Sequence, residues 1–179
     1  MLTPEEKARN ARERMIETSR QWQIGTHAGK VATVYQKMIR AEAASRPAEI
    51  TAAIVDGVLV HVFREVGQVV CVTCGKVGPW KSDKSAGENG IETGHCEGGR
   101  TAAVLFADHN ANPQCVYCNR NLSGNVANYK LWIRHLYGQD EVDRLGQLRH
   151  QRKQFTHEEL VDMRIEFAAR LKAAERKMT

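Results

Sequence analysis

VVCVTCG at residues 69–75 and ADHNANPQCVYCNRNLSGN at residues 107–125 decide how this chain folds. Each carries a Cys-x-x-Cys pair, Cys71 with Cys74 and Cys115 with Cys118. A pair at that spacing sits in one tight turn and aims both sulfurs at one point. Two such turns close a long loop around a tetrahedral Zn²⁺. The four cysteines are therefore read as structural zinc ligands rather than as unrelated buried thiols. Cys96, the fifth cysteine, is left over beside His95.

Working outward, GQVVCVTCG enters the first turn as a short strand, and residues 75–94 are expected to form a long glycine-rich loop. Residues 92–107 predict a β-hairpin, with His95 ending its first strand, Gly98 and Gly99 turning, and TAAVLF at 101–106 returning. Residues 108–114 then read as a loop into the second Cys turn. SGN leads into a helix, VANYKLWIRHLYG, whose apolar stripe is Tyr129, Trp132, Ile133 and Leu136 and whose stop is Gly138. A further helix runs from about Asp140 to His150. The last starts at a capping box of Thr156 and Glu159, continues to about Lys177, and turns Leu160, Met163, Ile165, Phe167 and Leu171 inward.

Before the zinc segment, Thr3 and Glu6 form another capping box with Pro4 at the first helical position, opening a charged helix over 3–20. That helix has little to bury alone and needs another element or a partner. Val31, Val34, Tyr35, Met38 and Ile39 predict a second helix over 26–44. Residues 48–65 read as a third, more deeply buried helix that turns extended near Gly57 to Val62, with His61 packed in its core. The fold class expected is α+β, mainly helical. Its domains are an N-terminal helical region (1–66), a zinc-stapled core (67–137) and C-terminal helices (138–179).

Composition sets the partner class. The 179 residues carry 26 Lys and Arg against 21 Asp and Glu, a formal net charge of +5. That excess suits a polyanion. Segment 71–125 balances five basic against five acidic residues, so the flanks supply the charge. Candidate nucleic-acid contacts are Lys81, Lys84, Arg100, Arg120, Arg149, Arg152 and Lys153. The N-terminus is charged without an apolar core segment, so no signal peptide is expected, and no apolar run approaches a membrane span. Reduced metal-bound thiols in cytoplasm are expected, not disulfides.

TGHCEGG, LFADHNANPQCVYCN and LSGN resemble the phage recombination endonucleases of the NinG or Rap family, which are HNH-type nucleases. The likeness runs from about Val69 to the KAAERK tail and leaves out the first sixty or so residues. It implies a ββα-metal core stapled by the two Cys pairs. By that resemblance His95 is the general base, Asn110 orients it through its side-chain or backbone carbonyl, and Asn119 binds a catalytic Mg²⁺ or Mn²⁺ beside the structural Zn²⁺. Gly94 stands where the general HNH pattern has a metal-binding Asp, and Asn119 where it has a His. Asp108 and His109 are the nearest candidates to complete the metal site.

The activity implied is cleavage of branched or single-strand-containing DNA, such as Holliday junctions and D-loops, in a phage-infected bacterial cytoplasm. A host or phage recombinase is a candidate partner, and a symmetric junction cut on two strands favours a homodimer. The alternative is a non-catalytic zinc module that binds nucleic acid, with His95 and Asn110 structural. A redox role for the Cys pairs has no βαβ pattern to support it.

Overall fold

A computed structural model describes residues 2–81, 90–98 and 103–179. Helix α1 (Pro4–Ser19) starts at the Thr3–Glu6 capping box and helix α5 (His157–Arg176) at the Thr156–Glu159 box, both reciprocal hydrogen-bond pairs. Helix α2 (Ile24–Ala44) runs between them in space. It buries Ala28, Val31, Tyr35 and Met38 against Leu160 and Phe167 of α5. Phe106 joins this core, with its ring 5.4 Å from that of Tyr35 and 5.9 Å from that of Phe167. Arg170 grips Glu42 from outside with bonds of 2.8 and 2.9 Å. Helix α1 lies on α5, where Arg12 meets Asp162 at 2.6 Å.

Residues 48–65 are not a helix. They form an antiparallel hairpin, β1 (Glu49–Val55) and β2 (Val58–Arg64), paired from Glu49–Arg64 to Val55–Val58. Asp56 (φ 49°) and Gly57 (φ 79°) make its turn, the Asp-Gly pair that a two-residue hairpin with both φ angles positive prefers. The β-branched run alternates faces, so His61 is exposed rather than packed. The hairpin's inner side docks on the third helix of the chain's helical half, α3 (Val126–Tyr137), where Trp132 Nε1 donates to Ala52 O at 2.8 Å.

Strand β3 (Gln68–Val70) pairs with β4 (Val77–Pro79), so the long loop carries a strand at its start. Strand β5 (Ile91–His95) ends at His95 as expected, but its partner is β6 (Ala111–Cys115), not TAAVLF. Residues Ala103–Phe106 form a 3₁₀ turn instead. Phe106 must reach the α2–α5 core and Val104 the opposite core, which a flat strand here would prevent. Residues 111–114, within the stretch expected as loop, are strand, although Asn112 and Pro113 are weak strand formers. Pro113 is accommodated because its carbonyl still accepts, from Val72 N at 3.1 Å. Gly99 of the expected turn lies outside the described residues.

After Cys115 a five-residue π-helical turn (Tyr117–Asn121) leads into α3, which Gly138 ends at φ 88° before α4 (Gln139–His150). Val72, Cys96, Val104, Tyr129, Trp132, Ile133 and Leu145 pack into a second core under β1. Truncating a fully buried member such as Ile133 or Leu145 to alanine costs about 2–5 kcal/mol. Leu136 and Ile165, read as inward, are 45% and 42% exposed, because each lies just off its helix's packed face. Among the described residues no helix is long and apolar enough to cross a membrane.

Candidate metal centre and adjoining cleft

The first Cys turn closes through Gly75 N to Cys71 O at 2.9 Å, with Gly75 in the left-handed region at φ 74°. The second forms as Cys118 N donates to Cys115 Sγ at 3.4 Å. All four sulfurs lie within 4.8 Å of one another, and Cys74 and Cys115 are 3.7 Å apart. Four sulfurs at about 2.3 Å from one Zn²⁺ stand about 3.8 Å apart, so the cluster can hold a metal ion such as zinc. Between the thiols alone, charge is divided unevenly. Hydrogen bonds from Cys115 and Cys74 draw Cys71 down, and the bond with Cys115 pushes Cys74 up. A cation is what would let all four ionise. Cys96 lies apart in the second core, its thiol pushed up to about 12 by burial.

The pairing of β5 with β6, which carries Cys115 at its end, places His95 in the wall of a cleft of about 580 Å³. Thr93, Glu97, Gly98, Leu105 and Asn119 line it on one side. The α2 residues Gly25, Ala28, Gly29, Ala32, Thr33 and Gln36 line the other. Burial holds the His95 imidazole below its ordinary pKa, opposed by a hydrogen bond with the Leu105 backbone. The ring is thus neutral near pH 7. Its Nε2 is buried without a hydrogen-bond partner.

Asn110 is fully buried, but it does not touch the imidazole. Its Oδ1 accepts from Glu97 N at 2.8 Å, its Nδ2 donates to Glu97 O and Val104 O at 3.1 and 2.8 Å, and its carbonyl accepts from Cys96 N at 2.8 Å. It clamps both ends of the loop that carries Leu105, and Leu105 holds His95. Asn119, on the π-helical turn, shares the cleft with His95. Its Nδ2 donates to Glu92 Oε2 at 3.0 Å, which leaves Oδ1 as its open acceptor.

Asp108 and His109 are not brought to this cleft. The Asp108 carbonyl accepts from Arg144 at 3.2 Å. His109, at φ 62°, pairs with Glu141 at 2.9 Å and stacks 3.8 Å from the Tyr137 ring. The basic candidates scatter. Arg120 binds Glu92, Arg149 binds Glu97 at 3.0 Å and Lys153 binds Glu159 at 2.9 Å. Arg152 has no ion pair among the described residues and lines a second cleft with Lys153 and Phe155. Lys81 lies over the Trp80 ring at 5.4 Å. Lys84 and Arg100 lie outside the described residues.

Sequence reasoning passed over Glu92, Glu97, Leu105 and Gln114. Glu97 is 3% exposed, with Oε1 2.7 Å from Lys130 and Oε2 3.0 Å from Arg149. Its signal was its place two residues after His95 within TGHCEGG. Leu105 acts through a backbone carbonyl and leaves no signal.

Compared with known proteins, residues 6–177 match the family described as Bacteriophage Lambda NinG protein. Protein ninG of Escherichia phage lambda is 30% identical over 103 residues, covering 57% of this chain and 46% of that protein. Protein ninG of Escherichia phage 933W is 29% identical over 103 residues, with the same 57% and 46% coverage. The chain thus spans about half the length of the curated relatives it matches. The family match takes in the N-terminal helices, which the resemblance read from the sequence had left out. No solved structure matches the chain.

Proposed function

Because the chain belongs to the bacteriophage lambda NinG family, we propose that it is a metal-dependent endonuclease of HNH type acting on branched recombination intermediates such as Holliday junctions and D-loops. One observation carries this reading. A histidine held below its ordinary pKa by burial, with its Nε2 unpartnered, lines a cleft beside a four-cysteine cluster that can hold a metal ion. The order of β5, β6 and a helical turn bearing Asn119 supports the ββα-metal reading.

In the proposed reaction His95 Nε2 takes a proton from the attacking water. Leu105 holds the ring through its backbone, and Asn110 holds the Leu105 loop. Burial, which depresses the His95 pKa, keeps the base form populated at neutral pH. A Mg²⁺ or Mn²⁺ ion, when bound, neutralises the phosphate and stabilises the departing 3′ oxygen. Asn119, whose Nδ2 is taken by Glu92, has its Oδ1 left as an oxygen donor of the kind such an ion takes. A recombinase and a second copy of the chain are the partners this substrate class suggests.

The test is single-turnover cleavage of a labelled four-way junction by zinc-replete protein. His95→Ala is expected to lose about 10²–10⁴-fold in rate with junction binding retained. Raising Mn²⁺ should not restore it, because water activation and not metal occupancy is missing. Near wild-type cleavage by His95→Ala would remove the nuclease reading and leave a zinc module that binds nucleic acid.

A further inference from the structure

The cleft that holds His95 has a neighbour. A second cleft, of about 560 Å³, is lined by Arg152, Lys153 and Phe155. Gly25 and Ala28 of α2 line both clefts, so the two meet along one helix. Gly25, Ala28, Gly29 and Ala32 recur at three and four residues, which puts them on one side of α2. That wall runs on to Gln36, about 16 Å along the axis from Gly25 at 1.5 Å per residue.

Nothing inside the protein asks for glycine at 25 or 29. Neither is among the residues with positive φ, and a Cβ at either would meet no neighbouring atom within 4 Å. Glycine weakens a helix relative to alanine. The two residues keep the wall low where the helix would have gained from a side chain.

Charge says what the space is for. In the first cleft Glu97 is the one carboxylate among the described lining residues, and Lys130 and Arg149 already hold it at 2.7 and 3.0 Å. The second has no carboxylate in its described lining. Lys153 there is bound to Glu159 at 2.9 Å, while Arg152 has no ion pair among the described residues. Arg152 is thus the cation left for an outside anion. A guanidinium beside an aromatic ring matches the phosphate and the base of a nucleotide. Cavities of about 580 and 560 Å³ hold a drug-sized molecule, about one or two nucleotides each, and not a duplex.

Resting on the nuclease reading, we propose that one unpaired DNA strand runs from the His95 cleft across Gly25 and Ala28 into the second cleft, where Arg152 takes a phosphate. The glycines clear the path, and Arg152 fixes the register of the strand against His95. What the protein grips at a branch is then the single strand, and not the duplex arms.

The experiment measures binding of a labelled oligothymidylate, and of a duplex of the same length, to zinc-loaded protein by fluorescence anisotropy across a salt titration without added divalent cation. Gly25 is the second residue of α2, and an acid in a first turn suits a helix. Gly25→Glu therefore puts a carboxylate where the clefts meet without opposing the fold. It should weaken single-strand binding about tenfold or more, and Gly25→Lys should tighten it. Arg152→Gln should weaken it several-fold and flatten the salt slope by about 0.7, the share of one single-strand phosphate. Lys172→Gln, an exposed charge on α5 outside both clefts, should change neither. Duplex binding should move less than single-strand binding in each cleft variant. Single-strand affinity unchanged in Gly25→Glu, or duplex and single strand weakened alike, would overturn the inference. Should Gly25→Glu fail to fold, Arg152→Gln on the exposed connector decides, and an unchanged salt slope there overturns it equally. No cleavage is read, so a failed His95 test would sink the nuclease reading without deciding this one.

Discussion

Replacing Gly94 with alanine adds one methyl group and should cost far more than a strand substitution normally does. The backbone does not require glycine, since Gly94 is not among the residues with positive φ. Alanine in a strand interior would by itself gain about 0.5–1 kcal/mol. The cost comes from Gln114, whose Oε1, Cδ and Cβ lie 2.0, 2.9 and 3.0 Å from the added Cβ. Gln114 is fully buried, and its Nε2 donates to Thr73 Oγ1 at 3.0 Å and to Gly124 O at 2.6 Å. It thereby ties the first Cys turn to the residues that follow the second. Moving it gives up two hydrogen bonds at about 1 kcal/mol each and leaves a buried carbonyl unpaired at about 1–3 kcal/mol. The expected net loss is about 2–4 kcal/mol, read by urea unfolding of zinc-loaded protein followed by tryptophan fluorescence. Gln114→Ala should lose a similar amount. The double variant should lose little more than Gln114→Ala alone, so the coupling approaches the whole Gly94→Ala loss of about 2–4 kcal/mol. If Gly94→Ala loses less than about 1 kcal/mol, or the two losses simply add, the steric account of this glycine is wrong.

Zinc removal should unfold the central segment, because in a small metal-stapled unit the binding energy is folding energy. Chelator-treated protein should lose its near-ultraviolet dichroism, Cys96→Ser should keep one zinc per chain, and freshly purified protein found free of zinc would refute the assignment. Stability should fall on the acid side. His27 is fully buried, with Nδ1 3.3 Å from His157 Nδ1 and Nε2 unpartnered. Burial first, then the charges of His157, Arg164 and Lys30, hold its pKa below 6.5. Its contribution is therefore complete above the unfolded value and is lost as pH drops from there through the folded one. Unfolding curves taken between about pH 8 and pH 5 should slope less steeply for His27→Gln. An unchanged slope would assign the acid sensitivity to other groups, His95 among them.

Local chemistry made much of this fold readable. Both capping boxes, Gly138 and the two Cys turns act within a few residues of themselves, and each sits where its spacing put it. The errors came where periodicity was ambiguous or overridden. ITAAIVDGVLVHVF alternates and carries Asp-Gly at its centre, yet its apolar density reads equally as a buried helix. TAAVLF has the composition of a strand, but Phe106 and Val104 are drawn into different cores, while poor strand formers at 112–114 pair because the Cys turn fixes Cys115. Within the candidate site, His95 and Asn119 were legible as types in a pattern. That Asn110 clamps a loop, that Leu105 supplies a carbonyl, and that α2 forms the far wall are long-range facts that no local window contains.

The pairing of α2 with α5 gives the cleft an unusual dependence on distant sequence. His95, Glu97 and Asn119 all lie on or beside the cysteine-stapled strands, but the opposite wall is α2, and α2 is held by Leu160, Phe167 and Arg170 of the last helix. The floor and the lid of the cavity are therefore tied down by different parts of the chain. During synthesis the staple can close once Cys118 has left the ribosome, while the lid has no clasp until α5 emerges some fifty residues later. For that interval the nascent chain holds His95 in an open tray rather than in a gap of set width.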